Sequence, residues 1–437
     1  MSAVCDNYLA AFAIFLNATA QQIAWITAFP QLFGAISQFL SVWIGRRGVS
    51  KVRLIVGGAA FQCATIGVFI LLCASEFTHA VTILIVTVVL FQAGSHFVQP
   101  QWRTVMVALV PVERRGRYFA RRSRITALAS FAALSIGGLL LHFAAQLGYT
   151  AAGFAILFGC ALVGRLKSIE LLATLPDVAA PSPAGQNIVS LRAAVKVILG
   201  TLGDRQYRRF MLFVASMQGS VAIAAPFFSI HMLRNLNFSY AELMANLGAS
   251  IVIQLITINS WGTIADHLGN RIILVITAFL IPTLPALWIF SDNFWYLIAV
   301  QCVAGLAWGG FNLSSSNYLF DLRPVGSELA TFSAVLAVTS AVAIFCGALL
   351  GGFVAANLPG TLDLGGMNVS FTNTIYGVFA LSSICRFAVA LWFTPRVAEI
   401  RLSENATVNQ VIYRLGRFNQ VTGVVMDIVG AVRRRRD

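Results

Sequence analysis

Apolar residues run along this chain in long blocks, separated by short clusters of polar and charged residues. The blocks fall at roughly 3–17, 20–44, 53–74, 79–102, 125–146, 149–166, 209–232, 242–264, 272–291, 294–319, 328–353 and 371–394. Most approach the ~20 residues that a helix needs to cross hydrocarbon. Hydrocarbon gives an unpaired backbone group no partner, so the pattern predicts helices. A transmembrane barrel would need short alternating segments, and these are too long and too uniformly apolar. The first block begins almost at Met1, lacks a basic flank and is short for a span, so a truncated first helix is expected. A cleaved signal peptide is not expected, because the positive n-region and small-residue cleavage site are missing.

Composition turns this pattern into a membrane protein. Of 437 residues, 58% are hydrophobic and 11% charged, against about 25% charged in a soluble domain. So little charge could not cover a water-facing surface. The formal net charge of +14 would suggest nucleic acid if it formed one soluble patch. It lies between the apolar blocks instead, so a nucleic-acid partner is not predicted. All seven cysteines sit inside apolar blocks without a CxxC or a His/Cys cluster, so neither a metal site nor a disulfide framework is indicated. No cofactor is called for.

The connections alternate in charge. One set is basic: Arg46, Arg47, Lys51 and Arg53; then Arg103 and the arginines of 114–124; then 165–209, 267–271, Arg323 and the tail. The other set, at 17–21, 75–79, 144–150, 234–242, 291–293 and 355–373, carries little charge. The positive-inside rule places the basic set, the long connection 167–208 and the carboxyl tail in the cytoplasm. The expected domains are a six-helix bundle over 1–166, a linker over 167–208, a second bundle over 209–394 and a tail over 395–437. Within the linker, 188–202 has the apolar spacing of a surface helix. In the tail, Val408, Val411, Ile412, Leu415 and Phe418 recur at three or four beside Arg414, Arg417 and the run 433–436. That suits a helix held on the cytoplasmic leaflet by anionic lipid.

Two patterns recur between the halves. The second block is followed by Gly45-Arg46-Arg47-Gly48, and the eighth by Gly262-Thr-Ile-Ala-Asp266-His267-Leu-Gly269-Asn270-Arg271. Pro111-Val-Glu113, after the fourth, is echoed by Pro324-Val-Gly326 after the tenth. Parallel six-span repeats with a site between the halves are one way carriers are built. The stretch 262–274 resembles the G-x-L-a-D-r-x-G-r-k signature of the major facilitator superfamily, and span count and linker position extend the resemblance along the chain. The resemblance implies an all-α integral membrane fold with twelve transmembrane helices in two six-helix bundles. It also implies secondary transport by alternating access, with the motif aspartate acting in the conformational switch. Gly45 stands where the first-half aspartate would be. Physically, Gly262 and Gly269 permit a tight turn and close helix approach. Asp266 can face a helix amino end and pair with Arg271 or Arg122, against the plainer reading of an ordinary turn aspartate.

Polar groups at membrane depth are the candidates for binding or coupling. Asp6, eleven residues before Asn17, stands about 16 Å in and could carry a coupling proton; alternatively it is a solvated terminus. Gln92, His96, Gln99 and Arg103 recur at four, three and four, which puts them on one face. His96 is read either as a histidine bonded to a neighbouring helix or as a group titrating in transport. Gln301, Gly305, Trp308 and Asn312 form a related face on the tenth block. Gln31, Gln38, Gln218, Gln254 and Asn259 are further lining candidates; each alone is more often an interhelical hydrogen bond, but together they suggest a cavity. Arg386 either snorkels or binds substrate. This polar but mostly uncharged set suits a neutral or singly charged organic solute. No P-loop, nucleophile–base pair or selectivity filter is visible, so an enzyme, an ATP-driven pump and a channel are disfavoured. A non-transporting assembly factor or receptor on the same fold is the rival reading. The chain is expected to be a monomer in a bacterial inner membrane.

Overall fold

The computed structural model describes residues 2–45, 47–74, 77–110, 112–176, 203–322, 327–358, 361–364, 367–370 and 374–396. Among them run twelve α-helices. In the first half these are α1 (Ser2–Phe15), α2 (Ala20–Gly45), α3 (Lys51–Ala74), α4 (Ala80–Leu109), α5 (Val112–Gln146) and α6 (Thr150–Ala173). The second half has α7 (Arg205–Ile230), α8 (Tyr240–Leu268), α9 (Asn270–Leu287), α10 (Phe294–Leu322), α11 (Ser327–Asn357) and α12 (Thr374–Phe393). A π-helical turn, His231–Asn235, continues α7. Eleven helices are long and apolar enough to cross a membrane; the exception is α1, with 14 residues. At 1.5 Å per residue α1 spans only about 21 Å.

The helices overrun their apolar cores. Arg103 lies inside α4, 114–124 inside α5 and Arg165 inside α6, because arginine is a good helix former. The low-charge connection 355–373, expected as a loop, contains an antiparallel pair, β1 (Thr361–Leu364) and β2 (Met367–Ser370), in the register Thr361 to Ser370. The segment 188–202 and the tail helix beyond Arg396 fall outside the described residues.

The internal repeat is visible in local geometry. Asn17 and Asn237 both adopt left-handed backbone, with φ of 60° and 52°. Two residues on, each half starts its second helix with a capping box. In the first, the Thr19 N–H donates to Gln22 Oε1 and the Gln22 N–H to Thr19 Oγ1. In the second, the Ser239 N–H donates to Glu242 Oε2 and the Glu242 N–H to Ser239 Oγ. At the opposite ends of these two helices, Gly48 and Gly269 take φ of 80° and 84°, backbone that only glycine adopts without strain.

Contacts gather the chain into two compact units. The first comprises Met1–Ala194, Gln218–Ala245 and Ala337–Phe379; the second comprises Val195–Met217, Asn246–Leu336 and Ala380–Asp437. In the first unit an aromatic chain links Phe12 to Phe154 and Phe158, and Phe158 through Phe69 to Phe91. This stitches α1, α6, α3 and α4 together, and the Tyr8 hydroxyl donates to the Leu134 carbonyl of α5. The second unit is centred on a cluster of Trp261, Ile264, Ala265, Leu268 and Ile273. There the Trp261 indole N–H donates to the Leu306 carbonyl at 3.0 Å. Ile125, Leu128, Ile136, Leu139 and Phe143 form an exposed apolar stripe along α5, the face such a helix turns to lipid. With tails as apolar as leucine, helix association here depends on close packing and interhelical hydrogen bonds.

Candidate functional site

Of the polar stripe of α4, His96 meets a neighbouring helix. His96 Nδ1 lies 2.9 Å from Nε2 of Gln38 on α2, and its ring covers Gly34, where a Cβ would stand 2.5 Å from His96 Cδ2. Gln31, Gly34 and Gln38, at steps of three and four, share one face of α2. The histidine is therefore bonded to an adjacent helix. Gln31 and Gln92 are half-buried along these faces, while Gln99 and Arg103 are exposed.

Pattern reading passed over the group next to this stripe. Gln101 is buried, and its amide donates to the carbonyl and hydroxyl oxygens of Ser41 at 2.8 and 3.2 Å. The same amide fills the space beside Gly45, where a Cβ would lie 2.7 Å from Gln101 Nε2. This explains glycine where the family signature has aspartate. A second missed network joins three helices: the Arg165 guanidinium donates to Gln62, whose amide donates to the Phe91 carbonyl at 3.2 Å. Polar residues at the steps of the α4 stripe were legible; Gln62 and Gln101, off those steps, were not.

In the second unit, Asp266 is exposed on the last turn of α8 and Gly269 makes the turn. Gly262 does not serve close approach, since a Cβ there would meet nothing within 4 Å. Arg122, offered as a partner for Asp266, stacks its guanidinium 4.2 Å over the Trp102 ring instead. The motif is tied through its neighbour: buried Asn270 donates its amide to Asp321 Oδ2 on α10 at 2.7 Å. Asp321 carried no sequence signal of its own. The side chains of Arg46, Asp6 and His267 lie outside the described residues.

The tenth-block face splits. Gln301 donates to Asn246 on α8 at 2.9 Å. Gly305 admits α8, since a Cβ there would stand 2.3 Å from the Ser250 carbonyl oxygen. Gln254 rests against Gly309. Trp308 packs edge-on to Phe311, and Asn312 and Asn259 are exposed. Gln218, on α7, is half-buried.

Arg386 does not snorkel. It is 2% exposed, and its guanidinium donates to the Ile281 carbonyl at 3.3 Å. Pro285, four residues on, has no N–H to give that carbonyl. Arg386 supplies the donor that the proline removed.

At the low-charge end of the first unit, the second-half segments pack on the first-half helices. Ala222 and Ala348 close on Ala28, Phe29 meets Phe345 at a tilt with centroids 5.7 Å apart, and a Cβ at Gly352 would touch Ala24. Met244 fills the space at Gly138, Tyr240 meets Phe154 edge-on, and Arg234 donates to the Ile14 carbonyl at 3.4 Å. A cavity of about 440 Å³ opens at this end, walled by Phe15, His142, Gln146, Phe238 and Tyr240 among others.

Compared with known proteins, residues 210–425 match the family model of the Major Facilitator Superfamily. No curated protein matches the sequence as a relative. Among solved structures, a mutant of the nucleoside transporter NupG superposes with a TM-score of 0.71 at 12% identity, covering 91% of this chain and 96% of that one. NupG itself superposes at 0.66 and 12%, covering 89% and 93%. A bacterial homologue of the iron transporter ferroportin, in an inward-facing state, superposes at 0.66 and 15%, covering 91% and 95%. At these identities the likeness is one of fold.

Proposed function

We propose that the chain, whose residues 210–425 match the family model of the Major Facilitator Superfamily, is a proton-coupled secondary transporter of a small organic solute. It works by alternating access between two six-helix halves, as a monomer. The basic connections and the tail face the cytoplasm of a bacterial inner membrane, with the tail on anionic lipid.

The observation that carries this reading is the seam at the low-charge end. Ala24, Ala28, Phe29 and Gly138 of the first half touch Gly352, Ala222, Ala348, Phe345 and Met244 of the second. Small and aromatic surfaces held by van der Waals contact separate at modest cost, unlike a buried ion pair that must be stripped. Such a seam suits a gate that opens and shuts each cycle. The solute is neutral or singly charged, because the seams hold amides, an imidazole and an indole. The nucleoside named for the NupG structures fits that description.

The test uses full-length protein in proteoliposomes with an imposed proton gradient and labelled uridine as first probe, followed by neutral sugars and amino acids. A cysteine pair at Ala24 and Gly352 should stop uptake when cross-linked, and reduction should restore it. Gradient-independent flux would remove the coupling. Saturable binding without flux of any probe would favour the assembly-factor or receptor reading.

A further inference from the structure

We propose that His96 and Gln38 form a proton-binding pair, in which the imidazole takes up a proton at Nδ1 and the Gln38 amide rotates to serve both charge states. The pair deepens the transport reading above and depends on it for its purpose.

The geometry suits both states. With the ring neutral, Nδ1 accepts from the Gln38 N–H across 2.9 Å. When Nδ1 gains a proton it must donate, and the oxygen of the same amide lies half a turn about the last side-chain bond away. A primary amide both donates and accepts, so one partner follows the proton without any helix changing neighbours. An aspartate or a lysine at 38 would favour one charge state only.

The ring is held where its charge would matter. It is half-buried and seated on bare α2 backbone, because Gly34 has no Cβ. Pro100 lies four residues after His96 inside α4 and offers the His96 carbonyl no N–H, so α4 is able to bend at this residue. No fixed counter-charge comes from α2, which carries no ionisable side chain between Ala20 and Gly45. On α3 the charged groups are Lys51 and Arg53, in its first turn, and the remaining titratable ones are the thiols Cys63 and Cys73. On α1 the Tyr8 hydroxyl is engaged by Leu134, Cys5 is buried, and the Asp6 side chain is outside the described residues. On α4 itself Arg103 is exposed and stands about 10 Å along the axis. A charged ring in this setting gains most from water. Protonation therefore favours whichever state wets the α2–α4 seam, and that differential links proton to conformation.

The test needs no solute. Full-length protein with ¹⁵N-labelled imidazoles is placed in nanodiscs of phosphatidylethanolamine and phosphatidylglycerol, and its five histidines are followed by NMR against pH. His96→Gln identifies the His96 signals and, keeping an amide at the seam, should leave the thermal midpoint nearly unchanged. The expected result is a neutral ring carrying its hydrogen on Nε2, becoming doubly protonated in one step before the protein unfolds. Gln38→Glu should raise that midpoint by about one pH unit or more, since a fixed carboxylate favours the charged ring. Gly34→Ala should unseat the ring and abolish the tautomer preference. A ring that stays neutral until unfolding, or a midpoint indifferent to Gln38→Glu, overturns the proposal. If the ring titrates as expected while no solute crosses the liposomes, the transport reading fails and the proton site stands. If gradient-driven flux persists with a silent ring, the proton site alone fails.

Discussion

The seam between α2 and α4 and the seam between α8 and α10 hold equivalent places in the two halves, yet they are built in opposite ways. In the first, the glycine is on α2 and the large polar groups are on α4: His96 over Gly34, Gln101 beside Gly45. In the second, the tightest approach is of backbone at Gly305 of α10, where a Cβ would reach within 2.3 Å of the Ser250 carbonyl oxygen of α8, although the Gln301–Asn246 bond crosses there as well. Side-chain hydrogen bonds can be remade after a rotamer or protonation change. Backbone held against backbone cannot yield without moving a helix. The repeated architecture thus carries one adaptable seam and one stiff seam.

The largest expected effect breaks the stiff seam. Gly305→Leu should cost about 3 kcal/mol or more through overpacking, read as a collapse of the thermal midpoint in lipid. The matched change Ala93→Leu, at a half-buried position on the adaptable α4, should cost far less. Next comes Asn270→Ala, which takes a charge-assisted hydrogen bond from Asp321 and should cost about 2 kcal/mol. Asn270→Asp should cost at least as much, because it sets two carboxylates together.

Gly45→Asp sharpens the comparison. If the first-half loop merely lost the family aspartate, restoring it should help. The Gln101 amide in that space predicts the reverse, a loss of about 1 kcal/mol without faster uptake. Adding Gln101→Ala should recover the stability. The smallest effect on stability is expected from Asp266→Asn, since Asp266 is exposed. Solute exchange should slow while equilibrium binding holds. Unchanged exchange in liposomes would remove Asp266 from the switch.

Much of this contrast could be anticipated in part. The steps from Gln92 to Arg103 marked a polar face, and that face does bear His96 against α2. Two further signals stand in the sequence: Asn17-x-Thr19-x-x-Gln22 and Asn237-x-Ser239-x-x-Glu242 are the same turn and capping box. They lie at the same point of each half and mark the repeat as clearly as the glycine loops do. Gln62 was not legible, because a lone polar residue in an apolar block has no period to reveal its partner; Gln101 falls off the steps of its polar neighbours, and Asp321 lies beyond the tenth block.

The sequence by itself determined the twelve helices among the described residues, where they turn and which ends carry charge. Those properties follow from local hydropathy, from left-handed residues such as Gly48 and Gly269, and from caps a few residues apart. Only the tertiary structure decided what each polar side chain does. Arg386 donates to the Ile281 carbonyl freed by Pro285, and Gln101 fills the space an aspartate would need at Gly45. The physical reason is range. A helix forms from its own neighbours in sequence, whereas a buried donor is satisfied by whichever helix the fold brings alongside.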